Sequence, residues 1–191
     1  MTDRLTTLRK YVSDVHALER HILDAVRQQR SDDRLRNHPE AAEIVGNIER
    51  MLANHVQQLE GHLGNLGGDS FAPIKDAVSS ALGTAAGIID RVRGDNPVSK
   101  ILRDDYSALS HDAISYTMLH TTGLALGSEA TAELAVRHLM DITPLIVDIS
   151  EQIPMVVARE LSDDGSLVDR AAGEEAARNT QRAWRSDVVR Q

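Results

Sequence analysis

The hydrophobic positions of this chain recur with a helical period, and four long stretches of that pattern predict four helices. In the first stretch, Val12, Val15, Glu19, Ile22 and Val26 are spaced by three and four positions. This spacing places all five side chains on one face of a helix. Strand-like alternation is absent from the sequence, so we expect an all-α protein. The predicted helices run from Thr2 or Asp3 to Arg30, from Pro39 to the Gly64–Gly68 cluster, from Val98 to about Leu126, and from a Ser128 cap to about Leu161.

A long connection separates the second and third predicted helices. Residues 69–97 join them and include a shorter helical stretch over 74–92. Two helices, a long crossover and two more helices are typical of the ferritin-like four-helix bundle. The long crossover lets helices 2 and 3 lie parallel, so that helices 1 and 2, and 3 and 4, form antiparallel hairpins. We therefore predict one bundle domain over residues 1–161 and a C-terminal tail over 162–191, either a loosely docked helix or disordered.

Each predicted helix carries a metal-ligand type of side chain within an otherwise apolar face. Glu19 lies on helix 1, His55 on helix 2, Asp112 on helix 3, and His138 with Asp141 on helix 4. A buried carboxylate is costly unless it is paired, protonated or bound to a metal. Imidazole and carboxylate together suit iron, manganese or zinc better than calcium or magnesium. These five residues are therefore the predicted metal ligands. Three central carboxylates are few for two divalent ions, which leaves a mononuclear and a reduced dinuclear site both open.

A metal-free interpretation of the same residues stands beside this one. A single His in a helix face is usually a hydrogen-bonded core residue, and an Asp is often a salt-bridge partner. The protein would then be a helical interaction protein whose inward polar groups pair with one another, for example Glu19 with His138. The remaining histidines are predicted to lie at the surface or boundary, and His16 is the first further ligand candidate among them: His16, His21, His38, His62, His111 and His120.

Other functional classes fit the sequence less well. A hemerythrin-like oxygen or nitric oxide binder needs His-x-x-x-His and His-x-x-x-Glu pairs, which the chain lacks. No nucleophile elbow indicates a hydrolase. Pro144 removes a helical hydrogen bond beside Asp141. The resulting kink either aims His138 and Asp141 or curves or breaks helix 4.

The composition limits which core residues, binding partners and cysteine sites the protein can have. The chain is 41% hydrophobic but only 3% aromatic, so Ala, Leu, Ile and Val must build its core. A net charge of −8 argues against nonspecific binding to nucleic acid or an anionic membrane. The absence of cysteine excludes disulfides, thiolate zinc sites and iron–sulfur clusters. The N-terminus has no signal pattern and no apolar run approaches about 20 residues, so we expect a cytoplasmic protein. Broad apolar helix faces predict a homodimer.

Four segments together resemble the YciF-type ferritin-like stress proteins. The segment DVHALERHILDAV at 14–26 is similar to the first helix of that family, and HVQQLEGH at 55–62 to its second. DAISY at 112–116 resembles helix 3, and residues 132–141 look like helix 4. The resemblance covers roughly residues 5–155. It implies a ferritin-like fold and a general association with bacterial stress response.

The same resemblance implies metal-ligand roles for Glu19, His55, Asp112 and Asp141. Iron or manganese is the expected cofactor, with zinc as a further option, and redox activity toward oxygen or peroxide is the expected chemistry. Gln57 and Gln58 stand where that family has glutamates after the histidine of helix 2. The site would therefore be reduced or altered.

Overall fold

The computed structural model describes residues 3–67, 97–166 and 168–184, and within these ranges the chain is helical with short turns and no strand. The all-α prediction is therefore confirmed. Four of the helices match the predicted ones to within a few residues at each end. The helix predicted over 74–92 lies outside the described residues. The helices are α1 (Arg4–Arg30), a 3-10 helix (Asp33–Asn37), α2 (Pro39–Asn65), α3 (Val98–Ala125), α4 (Glu129–Asp163) and α5 (Ala172–Trp184).

Hydrogen bonds at both ends of each neighbouring pair fix the helix directions. Near the start of α1, Arg9 Nε donates to the Leu66 carbonyl at 2.8 Å, beyond the end of α2. At the other end, Arg30 Nη1 donates to Glu49 Oε2 at 2.7 Å. The two helices therefore run antiparallel. Leu66 is the residue that caps α2, so the bond that Arg9 donates to its carbonyl also satisfies a helix end.

The second hairpin is built in the same way. The Ser99 amide donates to Glu160 Oε1 at 2.9 Å, and His120 Nδ1 bonds the Ala132 carbonyl at 2.9 Å at the opposite end. Helices α2 and α4 are also antiparallel, since residues near the end of α2 contact the start of α4. Helices α2 and α3 consequently run parallel, as predicted.

The core is one cluster of buried apolar side chains drawn from α1 to α4. In α4 an apolar row with helical spacing faces this cluster: Ile142, Ile149 and Val156 are buried, and Leu139, Ile146 and Ile153 pack against it partly buried. The helix continues through Pro144 and Pro154. It therefore does not break at Pro144, which was one of the predicted outcomes. No helix among the described residues is long and apolar enough to cross a membrane.

The C-terminal tail is partly a docked helix. At Gly173 in α5, an added Cβ would lie 3.0 Å from Met155 Sδ and 3.1 Å from Ala158 Cβ, so the backbones of α5 and α4 approach closely. Gln181 Nε2 donates to Glu151 Oε1 at 3.3 Å. Of the two predicted states of the tail, the docked helix applies to Ala172–Trp184.

The α3–α4 hairpin depends on a glycine, which leads to a stability prediction. A Cβ at Gly123 would lie 2.7 Å from the Ala132 amide nitrogen, which is backbone and cannot rotate away. We expect Gly123→Ala to lower the free energy of unfolding by about 1–3 kcal/mol. Gly61 in α2 has no atom within 4 Å of its added Cβ. Gly61→Ala should instead stabilise by roughly 0.5–1 kcal/mol. Urea unfolding of both variants tests this, and equal effects would contradict it.

Candidate metal site

Glu19 and His55 form a fully buried pair between α1 and α2. His55 Nδ1 lies 2.9 Å from Glu19 Oε1, and neither side chain is exposed. Glu19 is inward because it belongs to the same helical face as Val12, Val15 and Ile22, all of which are buried. The carboxylate that the sequence placed in an apolar face therefore lies in the core, and an imidazole is its partner.

His138 brings a second imidazole from α4 onto the first. The two rings of His55 and His138 are stacked, with centroids 3.7 Å apart and planes 3° from parallel. His138 Nδ1 bonds the Tyr116 hydroxyl at 2.7 Å, and its Nε2 lies 3.2 Å from Gln58 Oε1. One ligand atom from each of Glu19, His55 and His138 can be chosen so that all three lie within 4.8 Å of one another. This is close enough for a metal-binding cluster.

Asp112 adds a second buried carboxylate beside Glu19. Its side chain is not exposed, and neither of its oxygens has a hydrogen-bond partner of acceptable geometry among the described residues. Glu19 Oε2 lacks such a partner too. Buried polar atoms are nearly always satisfied, so three such carboxylate oxygens in one place require an explanation.

The electrostatics of the cluster favour protonated carboxyls and neutral imidazoles. Burial raises the pKa of Glu19 to about 8, an effect opposed by hydrogen bonding with Tyr116 and Asp112. Burial and then the charge of Glu19 raise the pKa of Asp112 well above its ordinary value. Burial, followed by the charges of His55 and Arg137, lowers the pKa of His138 to about 3.

His55 follows the same trend. Burial lowers its pKa, although hydrogen bonding with Asp141 and the charges of Asp112 and Asp141 oppose that change. A neutral imidazole is the form that binds a metal. The carboxyls, in contrast, will hold protons near neutral pH unless a cation compensates their charge.

Asp141 is not the central carboxylate that the sequence predicted. Its side chain is 57% exposed, and it reaches the cluster only through Oδ2, which lies 3.2 Å from His55 Nε2. Side chains three residues apart on a helix, such as His138 and Asp141, point in directions about 60° apart around the helix axis. Since His138 points into the core, Asp141 is turned toward the edge between α4 and α2.

The other histidines correct several expectations. His16 contacts Glu60 at 3.3 Å and does not join the cluster. His38 and His62 were predicted at the surface or boundary, but both are buried. His62 lies where α2 meets the start of α4 and bonds Thr131 Oγ1 through Nε2 at 2.9 Å.

Two partners in the cluster were not predicted as site residues. Tyr116 follows Asp112 by one helical turn, and Gln58 follows His55 by three residues, so both spacings were visible in the sequence. The expected pairing of Glu19 with His138 is wrong, because Glu19 pairs with His55 and His138 pairs with Tyr116.

A second buried polar pair lies two turns before Asp112 on α3. Gln29 Nε2 donates to Asp105 Oδ1 at 2.9 Å, while Asp105 Oδ2 and Gln29 Oε1 have no partner among the described residues. Burial raises the pKa of Asp105 to about 7, although hydrogen bonding with Gln29 opposes this. This pair has no imidazole and provides a comparison for the cluster.

Comparisons with protein-family models, with curated proteins and with solved structures find no match for this chain. The resemblance to the YciF-type family therefore stays a prediction.

Proposed function

We propose that this protein is a ferritin-like metal-binding protein of bacterial stress response, with a reduced dinuclear site for iron or manganese. The observation that carries the proposal is the adjacent pair of buried carboxyls, Glu19 and Asp112. Three of their oxygens, Glu19 Oε2 and both oxygens of Asp112, have no hydrogen-bond partner of acceptable geometry among the described residues. They lie beside two imidazoles whose pKa values burial lowers. A cation would compensate the carboxylates and bind the neutral rings, which accounts for both features at once.

The orientation of the two imidazoles supports two ions over one. A metal binds an imidazole nitrogen along its lone pair, which lies in the plane of the ring. The planes of His55 and His138 are parallel and the centroids are 3.7 Å apart, so their lone pairs do not converge on a single ion. Each ring can serve its own ion, and the ring spacing matches the roughly 3.5–4 Å that separates metals in two-metal sites.

Each residue of the cluster would have a distinct role in binding the metal. Glu19 and Asp112 supply negative charge in the core, and His55 and His138 supply one nitrogen each. Tyr116 fixes the orientation of His138 through its hydroxyl contact. Bound iron or manganese would supply redox chemistry toward oxygen or peroxide. The antiparallel hairpins and the parallel α2 and α3 support the ferritin-like bundle.

Metal analysis of the native protein tests the proposal. We expect protein purified without chelators, or reconstituted with Mn²⁺ or Fe²⁺ under anaerobic conditions, to contain two ions per chain. Exchange coupling between two Mn²⁺ ions, measured by electron paramagnetic resonance, would identify a dinuclear site. One ion per chain would contradict the two-ion site alone, whereas protein without stoichiometric iron, manganese or zinc would contradict the function.

The alternative is a metal-free helical protein that binds other proteins, including a second copy of itself. Two observations favour it: His55 and His138 already have hydrogen-bond partners, and Ile114 and Met118 are more than half exposed one turn apart on α3. It predicts no bound metal and a dimer in solution that Ile114→Lys disrupts. Light scattering measures the oligomeric state, and elemental analysis separates the two functions.

A further inference from the structure

An open groove between α2 and α4 leads to the cluster. Its volume is about 430 Å³, and its lining includes Asn47, Arg50, Met140 and Pro144 together with His55 and Asp141. Pro144 has no amide hydrogen, so the Met140 carbonyl lacks its usual helical donor and remains an acceptor next to Asp141. The groove therefore combines solvent access with oxygen atoms and one residue of the cluster.

Asp141 closes the inner end of this groove. His55 lines the groove but has no exposed surface, whereas Asp141 is 57% exposed and contacts His55 Nε2 at 3.2 Å. A solute that moves along the groove toward His55 Nε2 therefore meets the Asp141 carboxylate first. Exposed side chains change rotamer in picoseconds to nanoseconds, so this carboxylate can move without unfolding the helix.

Two other surface depressions do not reach the cluster. One lies between α1 and α2 and includes Arg20, Asp24 and Arg27, and the other surrounds the 3-10 helix. Neither is lined by Glu19, His55, Asp112 or His138.

We propose that Asp141 is a loading ligand, which captures a divalent transition-metal ion that enters the α2–α4 groove from solvent and transfers it to His55. This proposal rests on the metal-binding function proposed above. It assigns to Asp141 a kinetic role in place of the central ligand position that the sequence suggested.

The chemistry of Asp141 fits this role. Its exposed carboxylate can bind a hydrated cation while part of the ion's water shell remains. The same carboxylate contacts Nε2 of His55, and the other nitrogen of that ring contacts Glu19. Only the imidazole ring of His55 therefore separates an ion held by Asp141 from the buried carboxyl of Glu19.

Arg50 is the opposing charge in the groove. Its guanidinium donates to Asn47 Oδ1, which keeps it on the α2 side. A positive charge along the route repels an incoming cation and slows its association. Loss of this charge should therefore have the opposite effect to loss of the Asp141 charge.

Stopped-flow uptake of Co²⁺, followed by its visible absorption, tests the proposal on the full chain. We expect Asp141→Ala and Asp141→Asn to slow both Co²⁺ uptake and its release to a chelator by about tenfold, with unchanged stoichiometry. Asp141→Glu should restore most of the rate, and Arg50→Gln should increase uptake several-fold. Asp148→Asn, an exposed carboxylate one heptad further along α4, is the matched control and should match the wild type.

Each remaining outcome overturns the proposal. Unchanged rates in Asp141→Ala would remove any role in uptake, and faster uptake would mean that Asp141 only covers His55. A lower stoichiometry with an unchanged association rate would make Asp141 a permanent ligand. Failure of the wild-type protein to bind Co²⁺ would overturn the metal-binding function as well, whereas binding with unaffected variants would overturn the loading role alone.

Discussion

Replacing Glu19 by Gln and His55 by Ala together is expected to abolish stoichiometric metal binding. The double variant removes one buried carboxylate and one imidazole from opposite helices of the first hairpin, which contact each other at 2.9 Å. Loss of even indirect contacts to a metal commonly reduces its affinity by about 10–100-fold, so we expect a decrease of at least a hundredfold here. Elemental analysis and isothermal titration with Mn²⁺ measure the effect.

Asp105→Asn is the matched control for that experiment. Asp105 is also a buried carboxylate with a raised pKa and an unpartnered oxygen, but it lies outside the cluster. It should keep the wild-type metal content. A hundredfold excess of metal over its dissociation constant should also stabilise the wild type and this control by about 2.7 kcal/mol, and the double variant not at all.

The single variant Glu19→Gln distinguishes the loss of a metal ligand from a failure of the double variant to fold. Glutamine preserves the side-chain volume and can still hydrogen-bond to His55, but it cannot take the negative charge with which Glu19 would bind a cation. A folded Glu19→Gln protein with full metal content would contradict the proposed site. Equal loss of metal in Asp105→Asn would show that the effect is not specific to the cluster.

Asp105 should make the stability of the metal-free protein depend on pH. Its carboxyl has a pKa of about 7 in the folded protein, while the unfolded chain releases the same proton near pH 4. Between these values the folded state binds more protons, so the free energy of unfolding falls as the pH rises. Above about pH 7 the carboxylate is charged while buried, and the destabilisation that this one group causes has reached its full value.

We therefore expect Asp105→Asn to be more stable relative to the wild type at pH 8 than at pH 5, by about 2–3 kcal/mol. Urea unfolding in the presence of a chelator, at both pH values, measures the difference. Asp148→Asn replaces an exposed carboxylate and serves as the control. The same stability difference at pH 5 and pH 8 would contradict the prediction.

The sequence was sufficient for the helices because their boundaries depend on local chemistry. Pro39 begins α2 at a position where its missing amide hydrogen costs nothing. Gly67 and Gly127, with φ of 78° and 66°, follow the ends of α2 and α3 in a conformation that other residues rarely adopt. The inward position of Glu19 also followed from spacing alone, since its helix neighbours are apolar.

The contacts of the site depend on how helices pack against one another, which spacing along one helix does not determine. The sequence could not show that Glu19 meets His55, or that the His55 and His138 rings stack. His62 is buried by α4 even though it lies near the end of its own helix. Asp141 is exposed because residues three apart on a helix differ by about 60° around its axis, and which of the two faces the core depends on the neighbouring helices.

The two hairpins divide the cluster between them, with Glu19 and His55 in the first and Asp112, Tyr116 and His138 in the second. The hairpins are adjacent in space but separated in sequence by residues 66–97. A metal ion bound by residues of both hairpins would join these halves of the chain as a removable cross-link. In a protein without cysteine, chelation would then control how firmly one half holds the other, and amide hydrogen exchange at the interface between the hairpins would report it.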